Sequence, residues 1–113
     1  MPRASLEARL WLAQRISAVV LALCVVVHLL TIILAARGGL SAAEILGRTR
    51  GSMAWLMFYG TFVVAVAIHG PLGLRWILRE WTMWRGRTLD TAMGALATLL
   101  VFSGWRALGG LFA

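Results

Sequence analysis

The sequence predicts an all-α integral membrane protein with three transmembrane helices. Of the 113 residues, 61% are hydrophobic and the mean hydropathy is +0.86. Soluble domains sit nearer half apolar. Three predominantly apolar runs lie along the chain, each close to the roughly 20 residues needed to cross the hydrocarbon. The charged residues, 13% of the chain, fall almost wholly between and beside those runs. One membrane domain therefore accounts for residues 1–113, with no internal repeat, low-complexity segment or soluble linker.

The first span is expected over residues 16–36, "ISAVVLALCVVVHLLTIILAA", which carries no fixed charge. The segment before it, "MPRASLEARLWLAQR", is charged up to Arg15. The apolar run exceeds a signal-peptide core and no small-residue cleavage site follows, so this helix is expected to be retained. Next comes "GGLSAAEILGRTRGS", where Ser41 and Glu44 form a Ser-x-x-Glu capping pattern. That pattern predicts a short interfacial helix over 41–47.

The second span is expected over 53–74. After it lies "LREWTMWRGRTLD", basic and rich in tryptophan; Trp76, Trp81 and Trp84 suit the headgroup level. The third span is expected over 91–112. It is rich in glycine and alanine and contains Arg106, close enough to its end to snorkel to the interface.

All 11 basic residues are arginine, and the net charge is +7. They cluster between apolar runs instead of along one polar face, which excludes a nucleic-acid-binding reading. They read as topology signals and as contacts to headgroups or cofactors. With the N-terminus inside, the inner side holds Arg3, Arg9, Arg15, Arg75, Arg79, Arg85 and Arg87, and the outer side Arg37, Arg48, Arg50 and Arg106. The bias favours N-terminus inside and C-terminus outside. The single cysteine, Cys24, makes no internal disulfide or cysteine-rich metal site.

No Asp, Glu or Arg lies deep in the first two spans, so His28 and His69 stand out. His28 is 13 residues past Arg15, about 20 Å deeper at 1.5 Å per residue. Gln14, Ser17, Leu21, Cys24 and Thr31 share its face by helical spacing, so the polar atoms of this helix form one stripe. His69 lies six residues before Arg75, about 9 Å from the inner-side charges. Phe62, Ala65, Val66, Gly73 and Trp76 share its face, and Gly73 leaves space beside the imidazole for a flat ligand.

An intramembrane histidine can serve only as a hydrogen-bonding contact between helices. Two of them favour function, and imidazole is the usual axial ligand of b-type haem. Pro71 removes the hydrogen-bond partner of the Ala67 carbonyl, and a kink is expected there. Arg75 and Arg79, one turn apart, suit haem propionates, a quinone headgroup or lipid phosphate. The two imidazoles differ in depth, which makes one shared haem awkward and two haems the alternative.

The segment "HGPLGLRWILREW" resembles the second-helix motif of the cytochrome b membrane-anchor subunits of succinate dehydrogenase and fumarate reductase. That motif is His-x3-Gly-[Ile/Leu]-Arg, then an acid five residues on and an aromatic. Here these are His69, Gly73, Leu74, Arg75, Glu80 and Trp81. The first helix, "QRISAVVLAL", resembles the family's His-Arg-x-Ser-Gly start through Arg15 and Ser17. Gln14 replaces the histidine of that pattern, Ala18 its glycine, and Trp11 stands where some members have serine.

The resemblance implies a subunit that does no dicarboxylate chemistry itself. It would form part of a haem-binding helical bundle with a second membrane-anchor subunit and dock an iron–sulfur subunit, which carries the flavoprotein subunit. It would pass electrons to quinone in the bacterial cytoplasmic membrane. His69 would be an axial ligand of haem b. Arg15, Ser17, Trp11, Arg75, Arg79, Glu80 and Trp81 would fall at the haem propionates or the quinone pocket. His28 resembles the first-helix histidine of two-haem members, which ligates the outer haem iron.

Two other classes remain open. One is a haem-binding anchor of another respiratory dehydrogenase, whose chains usually have more spans and histidines. The other is a non-redox scaffold or transporter subunit. Against a coupled transporter, the four acids Glu7, Glu44, Glu80 and Asp90 all lie outside or at the edges of the spans.

Overall fold

The computed structural model describes residues 2–113. Among the described residues there are four helices and no strand: α1 (Pro2–Arg37), α2 (Ala42–Thr49), α3 (Met53–Trp81) and α4 (Arg87–Phe112). Three of them, α1, α3 and α4, are long and apolar enough to cross a membrane.

Each long helix overruns its predicted span. α1 starts 14 residues before residue 16, because nothing between Arg3 and Arg15 is a glycine or proline and the charged segment simply continues the helix. Its 36 residues rise about 54 Å, against about 30 Å of hydrocarbon. α3 continues seven residues past 74, and α4 begins four residues before 91. The basic residues there are good helix formers and lie beyond the apolar stretch, so polarity does not end the helix. α3 also runs unbroken through Pro71, whose ring is buried.

The ends follow from local chemistry. α1 closes with Gly39 at φ 66°, while the Leu40 amide donates to the Ala35 carbonyl at 3.1 Å and the Gly39 amide to Ala36 at 3.2 Å. This satisfies two orphan carbonyls with a left-handed glycine. Ser41 caps α2 by accepting from the Glu44 amide at 3.2 Å, as the Ser-x-x-Glu pattern predicts. Ser52 caps α3 by accepting from the Trp55 amide at 3.3 Å. Gly86 enters α4 at φ 85° and ψ −154°, a conformation open almost only to glycine.

α3 is the central helix and packs against both α1 and α4. The start of α1, the end of α3 and the start of α4 meet at one end, the charged end, where Glu7, Arg75 and Asp90 join. At the other end α2 docks on the last turn of α4. Thr49 Oγ1 donates to the Leu111 carbonyl at 2.9 Å, and the Gly51 amide to the Phe112 carbonyl at 2.9 Å. These bonds use carbonyls that a helix end leaves unpaired. α1 and α3 run antiparallel in a fixed register: the residue numbers of the facing pairs His28–Tyr59 and Gln14–Gly73 both add to 87.

Small residues set the approach of α3 and α4. A Cβ on Gly104 would run into Val63 Cγ1 and lie 3.1 Å from Val63 Cβ. Valine has little rotamer freedom to withdraw. Gly104→Val is therefore expected to lower stability in detergent by about 1–3 kcal/mol, as overpacking does. Val63→Ala should restore most of it, and a melt that is unchanged in Gly104→Val removes this contact from the packing. Elsewhere the outer faces are apolar and open: Leu23 and Leu34 on α1 are 64% and 70% exposed. Such faces suit lipid or other apolar helices.

Candidate functional site

His69 opens into a cavity of about 370 Å³ between α1 and α3. Trp11, Gln14, Arg15 and Ala18 line it from α1, and His69 and Trp76 from α3. The α1 residues recur every three to four positions, so they form one stripe. His69 and Trp76 are seven apart, two turns on the same face.

Two polar atoms here are buried and unpartnered: Nδ1 of His69 and Oε1 of Gln14. Buried polar atoms are nearly always hydrogen-bonded, to protein or to water, so both atoms call for a partner beyond the described residues. The guanidinium of Arg15 lies over the Trp11 ring, 5.2 Å from its centroid, a cation–π contact that holds the charge at the mouth. Gly73 does not leave open space beside the imidazole. A Cβ there would lie 3.1 Å from Gln14 Nε2, so the glycine lets the Gln14 amide reach α3.

The residues lining this cavity have the chemistry that would hold a haem. The His69 imidazole makes no hydrogen bond within the described residues, two tryptophans offer flat apolar walls, and Arg15 supplies a cation. Only α1 and α3 line it.

A neighbouring cleft of about 310 Å³ is lined by Glu7, Trp76, Arg79, Glu80 and Arg85, with Trp76 as the wall it shares with the His69 cavity. Arg75 belongs to neither. Its Nε donates to Asp90 Oδ1 at 2.8 Å and its Nη2 to Glu7 Oε1 at 3.1 Å, while Nη1 is buried without a partner. Arg79 Nη1 reaches the same Glu7 oxygen at 3.5 Å. One guanidinium thus ties all three spanning helices together.

The remaining predicted residues lie elsewhere. Ser17 is buried and donates back to the Gln14 carbonyl at 3.0 Å, within its own helix. Trp81, the last residue of α3, is 82% exposed.

His28 faces a different cavity, of about 440 Å³, at the α2 end. Its Nδ1 lies 3.2 Å from Tyr59 Oη, and the rings of Tyr59 and Phe62 meet it edge-on with centroids 5.6 Å away. Ala18, which lines the His69 cavity, is ten residues before His28 on α1, about 15 Å along the axis. The two imidazoles therefore lie on different levels, as the depth argument predicts. Sequence reasoning missed Tyr59; as the only tyrosine of the chain, set inside an apolar run, it was the available signal.

Three helices long and apolar enough to span a bilayer, with an unpartnered imidazole between two of them, define a helical membrane protein. A family model, the succinate dehydrogenase/fumarate reductase transmembrane subunit, matches residues 1–105. The chain belongs to that family and is a multi-pass membrane subunit. No curated protein and no solved structure matches it.

Proposed function

We propose that this chain is the cytochrome b anchor of a succinate:quinone oxidoreductase, with N-terminus inside, in a bacterial cytoplasmic membrane. It holds haem b at His69 and forms half of a quinone site. Its partners are a second anchor, an iron–sulfur subunit and the flavoprotein. The observation that carries this reading is the cavity joining His69, Gln14, Arg15, Trp11 and Trp76. In a family member, that arrangement offers an iron ligand beside hydrogen-bond donors for a quinone carbonyl.

When bound, haem supplies a one-electron store. His69 offers a ring nitrogen to the iron. Arg15, with the Gln14 amide beside it, donates to the quinone oxygen and favours the charge that develops there on reduction. Trp11 and Trp76 form the flat walls of the cavity. Glu7 is occupied by Arg75 and Arg79, whereas Glu80 makes no ion pair among the described residues. Glu80, one tryptophan away from the cavity, is therefore the carboxylate free to take up and deliver a proton.

The test is succinate–quinone reductase kinetics of the purified complex. Arg15→Gln is expected to raise the KM for quinone about 10- to 100-fold, the loss of one charge-assisted hydrogen bond. Succinate oxidation by an artificial acceptor should be unchanged. An unaltered quinone KM removes Arg15 from the site.

A second haem at His28 is supported by one observation. The hydroxyl of Tyr59 occupies Nδ1 and leaves Nε2 to bind a metal, the arrangement in which ligating histidines are usually held.

A further inference from the structure

The cavity at the α2 end holds more than His28. From α1 it is lined by Thr31, Ile32, Leu34 and Ala35, with Gly38 just past its end, and from α3 by Trp55 and Tyr59. α2 lies across it and contributes Ile45, Arg48 and Thr49. Its volume of about 440 Å³ lies within the roughly 300–1,000 Å³ range of ligand sites.

The hydroxyls in this wall are already engaged. Thr31 donates to the His28 carbonyl at 2.7 Å, Thr49 to Leu111, and Tyr59 meets His28. Arg48 is the one charged lining residue, and it makes no ion pair among the described residues. Nor is α2 a loose flap. Thr49 and Gly51, the residues that follow Arg48, are bonded to the last carbonyls of α4, which fixes the helix over the cavity.

We propose that this cavity is a second binding site, for an amphiphile whose apolar body lies along α1 and whose anionic group meets Arg48. An apolar pocket with one guanidinium at its exposed rim suits that chemistry, because the apolar body leaves water while the anionic group pairs with the guanidinium. Two sources carry the same chemistry: the carboxylate edge of a second haem, which rests on the His28 reading, and the phosphate of an anionic phospholipid, which does not.

The experiment compares the intact complex with Arg48→Gln, Arg48→Lys, Ile45→Trp and Arg37→Gln, the last a basic residue outside the cavity. Flavin and iron contents report assembly. If the parent holds two haems per flavin, Arg48→Gln either loses one or lowers the midpoint potential of the haem that His28→Leu removes. If the parent holds one, the His28 reading fails, and the phospholipid arm decides. Anionic phospholipid retained through delipidation, measured by mass spectrometry, then falls about tenfold in Arg48→Gln. In either case Arg48→Lys retains most of the ligand, Ile45→Trp loses it by filling the cavity, and Arg37→Gln matches the parent. The proposal is overturned if Arg48→Gln and Ile45→Trp both keep the parent's haem content, midpoint potentials and bound phospholipid.

Discussion

His69→Ala in the assembled complex is expected to abolish one b-type band in the reduced-minus-oxidised spectrum, with haem per flavin falling by one. Among the described residues nothing competes with a metal for this side chain, because its buried Nδ1 has no partner and the ring makes no hydrogen bond. Truncation removes the ligand and leaves the Trp11–Trp76 walls in place. Added imidazole should therefore restore part of the band by entering the vacated space. Because His28 lies on another level of α1, its removal should leave this band unchanged. A spectrum unaltered in His69→Ala would remove His69 as the haem ligand and leave it as a polar contact between helices.

The second large effect concerns stability. Arg75→Gln cuts the bonds that join α3 to Glu7 of α1 and to Asp90 of α4. The Arg75 side chain is only 12% exposed, whereas those of Glu7 and Asp90 are 41% and 55% exposed. The carboxylates can therefore regain water, and the loss is smaller than for a fully buried triad. About 1–3 kcal/mol is expected, read as a lower melting temperature of the detergent-solubilised complex. Arg75→Lys should recover little, because one ammonium does not reproduce two directed bonds to carboxylates on different helices. A double-mutant cycle of Glu7→Gln with Arg75→Gln isolates the shared part. Additive losses would show that water already separates the pair.

The architecture is plain in the sequence because hydropathy over some 20 residues outweighs every local signal in a bilayer. The spans, the Ser41 cap and the separate levels of His28 and His69 follow from composition and from a fixed rise per residue. The helix ends do not. α1 and α3 run on into charged sequence where only a capping residue or a glycine stops a helix, and Ser52 gives no Ser-x-x-Glu pattern.

The site is half legible. His69, Arg15 and Trp11 line one cavity, and Trp76 shares the face of His69. Arg75 reads as a ligand contact, yet it is committed to carboxylates 68 and 15 residues away. Pairings across helices depend on register, which periodicity within one helix does not reveal. Gly73 and Gly104 show the same limit: each is shaped by a side chain of another helix, Gln14 or Val63.

The constant sum of 87 between α1 and α3 limits how chains of this design can change length. Inserting one residue in the middle of α1 turns everything beyond it by 100° and moves it by about 1.5 Å. Such an insertion between Gln14 and His28 would separate the two cavities in angle as well as in height, and Tyr59 would no longer face the imidazole. The stretches 38–41 and 82–86 lie outside the helices, and a change in their length leaves the facing positions of α1 and α3 intact, whereas 50–52 is tied to α4 through Gly51 and Phe112. Length variation among related chains should therefore collect in the first two stretches, while the helices keep a fixed residue count.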